Sequence, residues 1–233
     1  MILKPPKGAM LNRGSNYARG LVGCWLMNEG GGTIVNDLSG NGNTGSLIAD
    51  THFVGGKFGP ALDFDGTGDY VTVLDSPELR FDSASQDFSI FAWVKGGGAA
   101  VDVIVDKRDA NNDGWRLTFA SGAVWLSVDG ADCKTSSSTI NDGTWHFVGG
   151  SIVRSGNGQM YLDGIANGAA ENVSGQGAMQ TTSQVTFGTT SYSVTTDVLT
   201  GQIDHVMIYN RALSASEILN LYRSPFCMFE VDL

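Results

Sequence analysis

The run Asp37-Leu38-Ser39-Gly40-Asn41-Gly42-Asn43 sets a carboxylate, two amides and two glycines within seven positions. Calcium takes about six to eight oxygen ligands from carboxylates, amides, carbonyls and water. Glycine lets a loop turn several carbonyls inward, because it adopts backbone angles closed to other residues. Asp37, Gly40 and Asn43 are therefore candidate calcium ligands, with the ion bracing loops rather than doing chemistry. The competing reading is an asparagine-stiffened turn, with Asp204 of the last strand paired to backbone N–H groups.

A second acidic group gathers Asp102, Asp106, Asp109 and Asp113 around Asn111 and Asn112. It lacks the bidentate glutamate and flanking helices of a calcium helix-loop-helix, so a solvated hairpin loop is expected. Retaining glycoside hydrolysis needs two carboxyl groups about 5–5.5 Å apart. Positions two or four apart on a strand deliver this. The five glutamates, Glu29, Glu78, Glu171, Glu217 and Glu230, are too scattered for it. Asp63 and Asp65 share a strand face but run into a Gly-Thr-Gly turn. His52, His146 and His205 are dispersed, and neither a Gly-x-Ser-x-Gly elbow nor a phosphate loop occurs. A non-enzyme is expected. Sugar binding asks for exposed aromatic faces with amides nearby. Trp115 beside Asn111 and Asn112 is the first candidate platform, with burial in the core as its competing reading, and Tyr192 in the Thr/Ser-rich stretch 181–197 is the second.

These residues must be held by short strands. The 233 residues include 32 glycines against five prolines, which points to many tight turns rather than low complexity. Apolar runs predict strands near 21–28, 61–64, 70–74, 88–95, 101–107, 115–120, 123–128, 145–153, 159–162, 184–188 and 201–209. Phe88 to Val94 is apolar on both faces, as an inner strand of stacked sheets requires. Asp129-Gly130, Asp142-Gly143 and Asp163-Gly164 suit strand-joining turns with positive φ. Ser214-Ala215-Ser216-Glu217 is a capping box that opens one short helix, with Ile218, Leu221 and Tyr222 on its buried face and Pro225 ending it. From Phe226 the tail alternates, Cys227, Phe229, Val231 and Leu233 facing one side, which predicts a strand for this sheet's edge or a partner's.

The net charge of −10 argues against nucleic-acid binding. Lys4, Lys7, Arg13 and Arg19 precede every acidic residue, so a basic arm leads an acidic body. Three widely spaced cysteines form no disulfide framework. No signal peptide and no membrane span is expected. Three segments result: an extended basic arm over 1–19, a sandwich domain over 20–223 and an apolar tail over 224–233.

Several stretches together resemble the laminin-G-like, concanavalin A-like jelly-roll family. They are Gly20 to Trp25, Asp37 to Asn43, Gly59 to Gly66 with Asp69-Tyr70-Val71, Phe88 to Lys95, Asp142 to His146, Tyr161 to Gly164 and Ile203 to Glu217. The resemblance implies an all-β fold, a two-sheet antiparallel jelly-roll sandwich with one short C-terminal helix. It also implies that the Asp37 loop and Asp204 meet at a bound calcium. Function is set by sites rather than by fold. The expected function is a non-enzymatic surface component of a larger assembly, a decoration or attachment protein on a phage or virus particle. Its arm and tail would contact protein partners and its outer face would adhere to glycans. The alternative is a free-standing, calcium-dependent lectin module of a bacterium, cytoplasmic or exported without a signal peptide.

Overall fold

The computed structural model describes residues 2–81, 83–96, 101–120, 122–134 and 140–230. Seventeen strands lie among them. The first six are β1 (Leu21–Trp25), β2 (Ile34–Val35), β3 (Gly45–Ile48), β4 (His52–Gly55), β5 (Pro60–Asp65) and β6 (Tyr70–Val73). The middle six are β7 (Phe88–Gly96), β8 (Val101–Arg108), β9 (Gly114–Ala120), β10 (Ala123–Val128), β11 (Ala131–Lys134) and β12 (Trp145–Ile152). The last five are β13 (Asn157–Leu162), β14 (Ile165–Ala166), β15 (Glu171–Asn172), β16 (Val185–Phe187) and β17 (Thr200–Tyr209), before the helix α1 (Ala215–Arg223).

All strand pairs are antiparallel. One sheet runs β14-β13-β12-β7-β17-β5-β4, with β1 also on β17 and β15 also on β13. The other runs β11-β10-β9-β8-β16-β6-β3-β2. The first and last body strands pair directly, Trp25 opposite Val206. This is the expected two-sheet jelly roll. A single core fills the space between the sheets, where Trp25 meets Phe187 edge-on at 5.1 Å between ring centres.

The nine-stranded sheet is buried on its outer face too. Phe91, Trp93, Phe147, Met207 and Tyr209 lie there beneath Ile218 and Leu221 of α1 and Met228 and Phe229 of the tail. That double burial is why β7 reads as a continuous apolar run. Helix α1 begins as its capping box requires. The Ser214 hydroxyl accepts the Glu217 N–H at 3.3 Å, and the Glu217 carboxylate accepts the Ser214 N–H at 2.9 Å. Tyr222 then stacks on Trp93 at 5.5 Å.

Two Asp-Gly turns take positive φ at both residues, Asp129-Gly130 between β10 and β11 and Asp163-Gly164 between β13 and β14. Asp142-Gly143 differs. Asp142 does not adopt positive φ; its carboxylate instead accepts the Thr144 N–H at 2.8 Å and caps the entry to β12.

The two ends depart from the sequence reading. Residues 2–6 have no regular structure, while from Pro6 to Leu21 the arm runs largely through turns rather than extended chain, with Ala9, Ser15, Ala18 and Leu21 each donating three residues back. Over the described residues 226–230 the alternation gives turns and a single antiparallel bridge, Phe229 opposite Leu11, rather than a strand. Cys227 and Phe229 donate to Ser224 and Phe226 in tight turns, and Met228, placed on the opposite side, is buried. The ends meet each other: Asn12 donates to the Met228 carbonyl at 2.8 Å and Glu230 to the Met10 carbonyl at 2.9 Å. Val231 and Leu233 lie outside the described residues. No helix among the described residues is long and apolar enough to cross a membrane.

Candidate functional site

Asp37 sits just after β2 and folds its loop around itself. Its Oδ1 accepts the N–H groups of Cys24 (2.9 Å) and Ser39 (2.8 Å). Its Oδ2 accepts the Ser39 hydroxyl (2.8 Å) and the Asn43 N–H (3.0 Å). Four donors fill the acceptor positions of one carboxylate. The Asn43 carbonyl accepts the Trp25 indole N–H at 2.7 Å, and the Asn43 amide donates to Val22 at 3.1 Å. At Gly40 the position of a side chain is taken by the Arg13 guanidinium.

Asp204, on β17, is completely buried, and its oxygens are equally engaged. Oδ2 accepts the N–H groups of Lys57 (2.8 Å) and Phe58 (3.1 Å). Oδ1 faces the Lys4 ammonium at 2.9 Å and His205 Nδ1 at 3.0 Å. Burial pushes the Asp204 carboxyl up, but His205 and Lys4 outweigh it and hold it below its ordinary value. Burial likewise pulls Lys4 down, and Asp204 draws it part of the way back. Hydrogen donors and an ammonium thus point at the oxygens a shared metal would need bare. The donor set does not fit a calcium ion held jointly by Asp37, Gly40, Asn43 and Asp204.

The sugar-binding candidates divide. Trp115 is fully buried in the core and its indole N–H donates to Leu79 at 2.9 Å, so it offers no face to a ligand. The cause is strand alternation: Trp115, Leu117 and Phe119 share the inward face of β9. The other candidates come together. Asn111 and Asn112 are exposed in the β8–β9 turn, which is fastened by Asn111 and Asp113 N–H bonds to Asp109 at 2.8 and 3.0 Å. Tyr192, 46 % exposed, sits at the tip of a turn closed by a Thr190–Ser193 bridge.

Arg108, at the end of β8, joins these two turns. Its guanidinium carbon lies 6.0 Å from the Tyr192 ring centre, and its Nη1 donates to Asn112 Oδ1 at 2.9 Å. Its Nε and Nη2 donate to Asp106 at 3.3 and 3.4 Å, and the Ser191 hydroxyl accepts the Arg108 backbone N–H at 2.9 Å. The arrangement is an open aromatic face, a charge-neutralised guanidinium behind it and an amide alongside. Aromatic faces take sugar C–H groups, and amides exchange hydrogen bonds with hydroxyls. Arg108 escaped the sequence reading, although Asp106 two positions before it on one strand was a visible signal for an ion pair.

Two further groups resemble chemistry. Asp50, Asp65 and Asp69 each place a carboxylate oxygen within 4.8 Å of the others. Asp69, the buried member, accepts the N–H groups of Asp50 and Asp65 at 3.1 and 3.2 Å, so it pins the turn after β5. Asp163, His146 and Thr144 line up at 2.9 Å on each side of the imidazole. The Thr144 hydroxyl, however, donates to Asp142 at 2.7 Å, so its proton is directed away from the ring.

The two antiparallel sheets and the short C-terminal helix define a jelly-roll module. A family model for the concanavalin A-like lectin/glucanases superfamily, laminin-G type, matches residues 65–219, and the chain belongs to that family. No curated protein matches it. Among solved structures, the binding domain of Paraclostridial Mosquitocidal Protein 1 superposes with a TM-score of 0.77 at 18 % identity, over 91 % of this chain and 54 % of that one. The botulinum neurotoxin serotype G binding domain gives 0.70 at 18 %, over 89 % and 51 %. A botulinum neurotoxin type C structure, whose cell entry is described as dependent on two ganglioside molecules, gives 0.69 at 18 %, over 90 % and 52 %. At these identities the likeness is one of fold, and the chain spans about half the length of each.

Proposed function

We propose that the chain is a non-enzymatic glycan-binding module whose sugar site is built on Tyr192, Arg108, Asn112 and Asn111. The single observation behind this is the half-exposed Tyr192 ring backed by a buried, paired Arg108 with an exposed amide on the same guanidinium. Membership of a lectin-containing family and likeness to binding domains agree with it. Arg108 is neutralised by Asp106, and the chain is acidic overall, so neutral sugars suit the site better than anionic ones.

This reading is preferred over a particle-decoration role. That role drew in part on a basic arm and a strand-like tail reaching for a partner, and both run back over the body through residue 230. The test is a glycan array probed with the full chain, followed by Tyr192→Ala and Asn112→Ala. Loss of the stacking face weakens binding roughly 3- to 10-fold, since an aromatic contact is worth about 0.5–1.5 kcal/mol. A glycan that binds both variants as well as the parent chain refutes the placement. An array with no retained glycan refutes the function.

A further inference from the structure

The Lys4 side chain is 3 % exposed, although lysine is among the residues least often buried. Its ammonium meets three oxygens: Asp204 Oδ1 at 2.9 Å, the Asp204 carbonyl at 3.0 Å and the Pro60 carbonyl in a shorter contact. An ammonium has three hydrogens, so each finds one acceptor. A carboxylate and two backbone carbonyls are also the donor set that a hard cation takes. The Glu29 carboxylate lies near enough to add attraction.

The surroundings are built for this contact. The Lys4 N–H donates to the Phe58 carbonyl at 3.1 Å, so the arm's backbone is fixed beside its own side chain. Lys57 and Phe58 hold the other oxygen of Asp204. A side chain at Gly56 would meet that oxygen at 2.7 Å, so glycine leaves room for it. Three separate stretches converge here: the arm, the loop between β4 and β5, and β17.

We propose that the Lys4 ammonium is the resident cation of this junction, a tethered charge that braces Asp204 where a metal would otherwise be required. The stability of the body is then indifferent to calcium, and the arm is a functional part of the domain. The proposal does not depend on the glycan site.

Thermal unfolding of the full chain tests it, with chelator, with no addition and with millimolar calcium. The parent chain keeps one midpoint in all three and takes up no calcium in equilibrium dialysis. Lys4→Ala unfolds roughly 10 °C lower, as breaking one partner of a buried pair does in a chain of this size. It also bares the Asp204 and Pro60 carbonyls and leaves Asp204 Oδ1 to His205 alone, so added calcium raises its midpoint. A parent chain that loses stability to chelator, or that binds calcium at this junction, overturns the proposal. So does a Lys4→Ala chain as stable as the parent. A variant that falls but ignores calcium also overturns it, leaving a plain ion pair. If Lys4→Ala does not fold, the parent measurements still decide, and Lys4→Met, which keeps the apolar stem, replaces it.

Discussion

Glu217 is the carboxylate whose removal is most readily followed. It caps α1 through Ser214, and it faces Arg211 Nη2 at 2.7 Å and Nη1 at 3.1 Å. Arg211 in turn donates to the carbonyls of Arg19 and Asn16, so one carboxylate ties the helix to the arm. Burial pushes the Glu217 carboxyl up, but Arg211 and Ser214 dominate and bring it down from 4.5 to about 2. A carboxylate depressed in the folded state adds stability that is complete above its unfolded value. That contribution is lost as the pH falls from about 4.5 towards about 2. The full shift would correspond to about 3.4 kcal/mol. The Glu217 side chain is 21 % exposed and Arg211 19 %, so water screens the pair, and about 1.5 kcal/mol is the better expectation. In a chain of this length that lowers the midpoint of Glu217→Gln by roughly 3–6 °C at pH 7. The assay is thermal unfolding of parent and variant from pH 7 down to pH 3. The two curves should converge below about pH 4.5 as the parent's own carboxylate protonates. A gap of constant size across that range, or no gap at pH 7, refutes the reasoning.

Two other substitutions test the frame around the site. Asp75→Asn removes the counter-charge from Lys107, whose side chain is completely buried at 2.6 Å from Asp75, and should cost about 3 kcal/mol in urea unfolding at neutral pH. Gly114 opens β9 at φ +124°, and an added Cβ would fall 2.0 Å from the Lys107 carbonyl. Gly114→Ala should therefore lower stability by roughly 3 kcal/mol or more and disturb the β8–β9 turn that carries Asn111 and Asn112, so glycan binding should weaken with it.

Much of the frame was legible because burial leaves periodic marks. Each of the eleven strands expected from apolar runs is present, since each is held by a core face. The missed strands β2, β3, β4, β11, β14 and β15 are short pieces near sheet edges, and Glu171-Asn172 or Gly45-Ser46 carries no apolar alternation to read. Trp115 was readable in principle, because Leu117 and Phe119 follow it at the strand period. Its neighbouring asparagines suggested a sugar platform, but they belong to the turn and not to the strand. The Lys4–Asp204 contact spans 200 positions and is set by where the arm crosses the sheet, so no local spacing could reveal it. The tail's alternation was real in sequence, but the ring of Phe226 packs on Phe58 and His205, and through residue 230 the chain turns there and makes only the one bridge to Leu11.

The same packing decides where a ligand can be met. The outer face of the nine-stranded sheet carries a second apolar cluster, and the arm, α1 and the tail cover it. A sheet buried on both sides cannot offer an open cleft on its face. The proposed sugar site lies accordingly on loops of the other sheet, where surface segments can vary without cost to the core. The β8–β9 turn and the turn after β16 emerge from neighbouring strands of that sheet. Arg108 fixes both from within the fold, so the exposed Tyr192 ring is carried on a braced loop rather than a loose one. Preorganisation of this kind lowers the ordering cost of binding, which matters most for weak ligands such as single sugars. The cap on α1, the Lys4 anchor and the Arg108 brace thus have one physical logic. Each is a buried or half-buried charge that fastens a segment the hydrophobic core alone does not hold.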